Sequence, residues 1–318
     1  MDEFSLIERY FNRPVSSKLI HLGIGDDAAA LSLPADRLLV QTMDSLHAGI
    51  HFPHETCAAD IACKSLAVNV SDLAAMAAQP TFFLLSLTLP DASETFLDEF
   101  ATGLFEAADL YGIELIGGDT CRGPLSVTIQ ASGLVEPEHL LRRDTAQVGD
   151  HLFVSGQLGL AALGLALVQG REHVQDSLRD AAIRALNRPV ARVDLIPLLQ
   201  RFASAAIDIS DGLVGDLGHL VRRSGVGACI DRDALPVADW IRANQRYELA
   251  LSGGDDYQLL FSVPAARVDE LLLAIEQQHV DCTPIGRITR SGLRLQDSAH
   301  SSTSIDLTQT RGFMHFGQ

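Results

Sequence analysis

The chain has no long hydrophobic run, little positive charge and no paired cysteines. No stretch reaches the roughly 18 uninterrupted apolar residues that span a bilayer, so no membrane helix is expected. The opening MDEFSLIERYF is acidic and amphipathic, unlike a signal peptide, and a cytoplasmic location is expected. The five cysteines, at 57, 63, 121, 229 and 282, contain no C-x-x-C pair, which argues against a disulfide framework or a zinc ribbon. HAGIHFPHETC gathers His47, His51, His54 and Cys57, but at no recognisable zinc spacing; loop histidines, one of them touching a substrate, are the favoured reading. Lys and Arg number 24 against 41 Asp and Glu, for a net charge of −17. That balance argues against nonspecific binding to nucleic acid or an anionic membrane. Also absent are a Walker loop, a protein-kinase catalytic loop and a G-x-S-x-G elbow. A phosphate site in so acidic a chain needs metal ions between the carboxylates and the phosphates.

What is present reads as a soluble globular protein of 318 residues, 47% hydrophobic, with room for two domains. Phe4, Ile7 and Phe11 recur at helical spacing over 3–11. RLLVQTMDSL is expected to be a strand entering a loop at Asp44. Residues 57–78 read as an alanine-rich helix, TFFLLSLTL as a buried strand, 92–110 as a helix, IELIGGD as a strand ending in a glycine turn, and LSVTIQASGLV as a further strand. The polar segment 137–150 marks a domain boundary, separating 1–137 from 148–318. Beyond it HLFVSG, AAIDIS and YQLLFSV are strands that alternate with helices, so the class is α/β of the α+β type.

Acids recur where apolar strands give way to turns: GIGDD, TMD, GGD, DISDG and SGGDDY. One Asp after glycine is usually a turn residue or a cap. Five such places favour a shared ligand site in a crevice at strand ends. On the helix CKSLAVNVSDLAAMAA, Ser65, Asn69 and Asp72 make one polar stripe among apolar neighbours. Two readings stand: a structural hydrogen-bond network, or Asp72 facing a cation. In DISDGLVGDLGHL, Ser210 or Asp211 can cap a helix whose core face is Leu213, Leu217 and Leu220, while Asp208 ends an apolar strand. A divalent ion is expected to neutralise at least one of the adjacent Asp26 and Asp27. Lys64 and Arg122 are expected on solvated surface.

The ordered set GIGDDAA, TMD, AVNVSDLAAMAAQP, LIGGDTCRGP, DISDGLVGDLGH and ALSGGDDYQLLF resembles the thiamine-monophosphate kinase family, from about residue 4 to the C-terminal GFMHF. The resemblance implies a two-domain protomer and a homodimer whose N-terminal domains, 1–137, pair their mixed sheets. Those domains would bind ATP and Mg2+, and an α/β domain over 148–318 would complete the phosphate and substrate site. It implies transfer of the ATP γ-phosphoryl group to thiamine monophosphate with several Mg2+ ions and no general base. Carried over by position, Asp27, Thr42, Asp44, Asp72, Asp119, Asp208 and Asp211 would hold metal, with Met43 contributing only through its backbone carbonyl. Tyr111, Gly118, Arg143 and Ser210 would contact ATP, and His51, Asp255 and Phe313 the thiamine substrate. Two positions depart from the family pattern: Met43 stands where Thr is usual, and Asp255 where Glu is usual. Another ATP-dependent enzyme of the same superfamily, or a non-catalytic sensor of nucleotide or thiamine phosphate, are the alternatives.

Overall fold

The computed structural model describes residues 2–297 and 304–307. It is mixed α/β and divides into two compact units, Met1–Leu73 with Ala78–Glu138, and Ala74–Ala77 with His139–Gln318.

The first unit holds α1 (Glu3–Tyr10), a two-stranded ribbon of β1 (Ile20–Leu22) and β2 (Ala30–Leu31), and a four-stranded sheet. The sheet strands are β3 (Leu38–His47), β4 (Gln79–Leu89), β5 (Glu114–Arg122) and β6 (Ser126–Val135), in the order β3-β6-β4-β5. Helices α2 (Ala58–Ala75) and α3 (Glu94–Tyr111) lie between strands in the sequence. Only β4 and β5 run parallel. Period-two alternation sets the sheet's faces. Val40, Leu46, Phe83, Leu85, Val127 and Ile129 are buried, while Met43 and Leu84 on the other face are 65% and 37% exposed. Helix α3 is capped by Ser93, whose hydroxyl accepts from the Phe96 amide, and ends at Gly112 in the left-handed conformation. Its buried Leu97, Phe100, Leu104 and Ala108 recur at helical spacing. In α1 the buried side is Leu6, Tyr10 and then Phe11, whereas Phe4 is 81% exposed; the apolar spacing located the helix but not its core face.

The second unit is a seven-stranded sheet in the order β13-β12-β9-β11-β7-β10-β8. Its strands are β7 (His151–Ser155), β8 (Ala205–Ile209), β9 (Gly227–Asp231), β10 (Gln258–Val263), β11 (Cys282–Thr289), β12 (Leu293–Gln296) and β13 (Ser304–Asp306). The helices are α4 (Leu160–Val168), α5 (Asp176–Asn187), α6 (Ile196–Phe202), α7 (Leu213–Ser224), α8 (Asp239–Ala243), α9 (Glu248–Ser252) and α10 (Val268–Gln278). Two apolar clusters cover the sheet: one includes Leu152, Val154, Ile207, Ile209, Leu213, Leu217 and Leu220, the other Phe153, Leu199, Phe202, Leu259 and Phe261. Alternate residues of β7, β8 and β10 feed the two clusters, so both sheet faces are buried and the strands read as continuous apolar runs.

Two strands outrun their expected ends. β3 continues through Asp44 to His47, and β5 continues through Gly117, Gly118 and Asp119. The glycines there are not a turn. A Cβ at Gly118 would lie 1.8 Å from the Leu85 carbonyl oxygen, so the close approach of β4 admits only glycine.

Candidate active site

In the first unit the polar stripe of α2 does two jobs. Ser65 and Asn69 are fully buried. The Ser65 hydroxyl donates to the Ile61 carbonyl at 2.8 Å, and the Asn69 amide nitrogen donates to the Ser65 carbonyl at 3.0 Å. That much is the structural network. The Asn69 side-chain oxygen then accepts the Asp44 backbone N–H at 3.0 Å. One turn further on, Asp72 accepts the Thr42 hydroxyl at 2.5 Å. Thr42 and Asp44 share one face of β3, so helix and strand bring Thr42, Asp44 and Asp72 together. Burial, and next the negative charge of Asp72, push the Asp44 carboxyl up to about 6. Met43 alternates to the opposite, exposed face, so its departure from the family pattern takes no side chain from this trio.

The other expected ligands of this unit stand apart. Asp119 pairs with Ser86, which pairs in turn with Thr128, which faces Ser45 across a 2.7 Å hydroxyl contact. Cross-strand neighbours share a face, so Asp119 lies on the sheet side opposite Asp44. Asp26 and Asp27 are both exposed, and the Asp26 carboxylate accepts the Asp27 amide at 2.8 Å. Hydration and this turn bond are enough to tolerate the pair, so the expectation that they need an ion has no basis in burial. The His51 ring nitrogen Nδ1 accepts the His47 amide at 3.0 Å. Tyr111, the last residue of α3, is buried, and Gly118 lies within β5. Lys64 corrects another expectation: it is 2% exposed inside α2, whereas Arg122 is on the surface and donates to the Pro90 carbonyl.

In the second unit, Asp208 is buried on β8, and the chain leaves that strand through Ser210 and Asp211. The expected cap is different. Helix α7 starts from Gly212, with no side-chain cap bond, and Asp216 reaches back to accept the Asp211 amide at 3.0 Å. Burial raises the Asp216 carboxyl to about 7; the Asp211 amide and the charge of Arg143 pull the other way, and the Asp211 charge adds to the rise. Arg143 is exposed, and the Ser224 hydroxyl anchors its carbonyl at 3.1 Å. The Asp255 amide donates to the Ser210 carbonyl at 2.8 Å, and the Tyr257 amide donates to the Ile209 carbonyl at 2.8 Å. Asp208, Ser210, Asp211 and Asp255 therefore gather at one end of the β8–β10 pair. Sequence reasoning missed Asp216 and Asp256. Asp256 adjoins Asp255 but is buried, and nothing in GGDDY tells which acid turns inward. Phe313 lies outside the described residues.

Among the described residues, no three His, Cys, Asp or Glu side chains form a ready-made metal cage. The donor set nevertheless fits Mg2+, which takes hard oxygen ligands and is usually held by one or two carboxylates plus substrate phosphates. Asp44 with Asp72, and Asp208 with Asp211, supply such oxygens.

Residues 25–135 match the AIR synthase related protein N-terminal domain and 147–298 its C-terminal domain. These two matches, which together span most of the chain, place it among the AIR synthase related proteins. A thiamine-monophosphate kinase of Salmonella typhimurium is 46% identical over 90% of this chain and 90% of its own. The crystal structure of the thiamine-monophosphate kinase from Stenotrophomonas maltophilia K279a superposes with a TM-score of 0.83 at 44% identity, covering 92% of this chain and 95% of that one. A structure of AaThiL complexed with AMPPCP and TMP gives a TM-score of 0.77 at 32% identity, covering 94% and 93%. Within that class, the chain belongs to the thiamine-monophosphate kinase family and is an enzyme of that family.

Proposed function

We propose that this enzyme passes the γ-phosphoryl group of ATP directly, in line, to thiamine monophosphate, giving thiamine diphosphate and ADP with the help of several Mg2+ ions. The observation that carries the reading is the Asp44–Asp72 pair. The two carboxylates are close enough for the charge of Asp72 to act on Asp44, which burial first and that charge second push up to about 6, and a cation there would relieve both. The ATP analogue and TMP bound in AaThiL support the choice of substrates.

In this reading Thr42, Asp44 and Asp72 hold one metal ion, while the Met43 carbonyl, Asp27 and Asp119 of the first unit, and Asp208 and Asp211 of the second, are ligands of further ions. Bound Mg2+ supplies the charge that offsets repulsion between two phosphates and stabilises the in-line transition state. The Arg143 guanidinium contacts the ATP phosphates as a charge-assisted donor. Ser210, Tyr111 and Gly118 complete the nucleotide contacts, Gly118 through a backbone that carries no side chain. His51, Asp255 and Phe313 hold the acceptor, and a carboxylate such as Asp255 suits the cationic thiazolium end of thiamine better than its phosphate. No residue acts as general base, because a phosphate monoester with a second pKa of about 6 is already largely ionised at neutral pH.

The reading includes a homodimer joined through the outer face of the four-stranded sheet. Met43, Gln130 and Leu84 lie in one cross-strand row on that face, with Met43 and Leu84 exposed, and a second copy is the proposed cover. Use of ATP goes with a cytoplasmic location. The deciding experiment is ADP release from purified protein with Mg2+ and ATP, with and without thiamine monophosphate, and the product identified by mass. Acceptor-dependent ADP with thiamine diphosphate is expected. ATP binding without turnover would replace this reading with a sensor.

A further inference from the structure

Asp255 has φ +63° and Tyr257 has φ +48°, both in the left-handed region that costs non-glycine residues free energy. Gly254, just before them, has φ +74°, and a Cβ there would lie 2.7 Å from the Ser210 carbonyl oxygen. Such a backbone persists only where its surroundings over-determine it. The amides of Asp255 and Tyr257 supply two constraints through their bonds to Ser210 and Ile209. Asp256 supplies the third. Its side chain turns inward between the two left-handed residues and is 7% exposed. Both of its carboxyl oxygens lie 2.9 Å from the Gly159 amide nitrogen, and the Ala161 amide also donates to it. These are the amides that open α4, which have no partners within the helix. On the outer side, the Tyr257 hydroxyl donates to Asp255 Oδ1 at 3.3 Å.

We infer that Asp256 is a positioning residue for the acceptor. By receiving the first amides of α4, it locks the two left-handed residues beside it and so fixes where the Asp255 carboxylate stands. The inference rests on the reading of Asp255 as an acceptor contact. It also gives the shorter Asp255 a defined position through a rigid loop.

The test is steady-state kinetics of the full-length enzyme as wild type, Asp256→Asn, Asp255→Asn and the double variant. Asp256→Asn is expected to raise KM for thiamine monophosphate about tenfold while KM for ATP stays within about twofold. The double variant should be no worse than Asp255→Asn alone, because both changes act through one carboxylate. A merely structural role would instead lower kcat with both KM values unmoved, and would add to the Asp255 effect; either result overturns the inference. Where Asp256→Asn does not fold, Asp256→Glu carries the test, since it keeps the acceptor group but displaces the loop by a methylene. An unchanged KM in folded Asp256→Glu counts against it. If Asp255→Asn itself leaves KM for thiamine monophosphate unchanged, the acceptor reading fails and the inference fails with it. If Asp255→Asn raises that KM and Asp256→Asn does not, the inference alone fails.

Discussion

The Thr42 hydroxyl donates to the Asp72 carboxylate at 2.5 Å, joining the edge strand β3 to helix α2. One turn earlier on the same helix, Asn69 receives the Asp44 amide. The helix thus holds the strand at Thr42 and at Asp44, and brings the charge of Asp72 to bear on the Asp44 carboxyl.

Replacing Asp72 with Asn keeps an acceptor for Thr42 and removes the charge. The fold should survive, with Tm within a few degrees of wild type, while kcat/KM falls by about 100-fold or more, the scale of losing one charged group at a transition state. Activity near that of wild type would remove Asp72 from the machinery.

Asn69→Ala tests the support behind that pair. The half-buried Asp44 amide loses its acceptor, and the buried Ser65 carbonyl loses its side-chain donor while keeping its helical one. A loss of about 1–3 kcal/mol is expected from the unsatisfied amide, read as a fall in the denaturation midpoint. Activity should fall further than the folded fraction does, because Asp44 moves. A loss of stability with unchanged specific activity would make Asn69 purely structural.

The α2 stripe could be seen in the sequence because Ala, Leu and Val on every other face announce burial, and a buried polar group demands a partner. The partner itself could not be seen, since β3 lies 30 residues from Asp72. The faces of β5 were hidden for a different reason. GGD reads as a turn, yet Gly118 is there because the β4 backbone occupies the space of a side chain. Asp119 is consequently a strand residue, on the face opposite Asp44. Lys64 was misplaced because composition assigns long cations to the surface, and only packing shows an exception.

Gly118→Ala should disrupt the β4–β5 pairing, since its Cβ would sit 1.8 Å from the Leu85 carbonyl oxygen and 2.7 Å from the carbonyl carbon. Backbone cannot rotate away as a side chain can, so the cost is expected at or beyond the upper end of the about 1–3 kcal/mol seen for overpacked cores. Thermal unfolding checks it. An unchanged Tm would mean that β5 can slide from β4 at little cost.

The buried Asp256 carboxyl makes stability depend on pH in a definite direction. Burial, the largest influence, raises it from 3.8 to about 8; the Gly159 and Ala161 amides oppose the rise and the Asp255 charge adds to it. The folded protein therefore holds this proton over a range where the unfolded chain has lost it. Its contribution to stability is complete below the unfolded value near 3.8 and declines as pH rises toward about 8. Asp256→Asn lacks the ionisable group and should not share that decline. The difference in Tm, wild type minus variant, should accordingly fall as pH is raised from about 5 to about 8, and level off above that range. Taking the difference removes the mutual repulsion of a chain with net charge −17, which changes with pH in both proteins. A difference that grows with pH would mean that the α4 amides outweigh burial and hold Asp256 as an anion. Its loop would then be tied down by a charge–dipole contact at the helix N-terminus, in place of a neutral hydrogen bond.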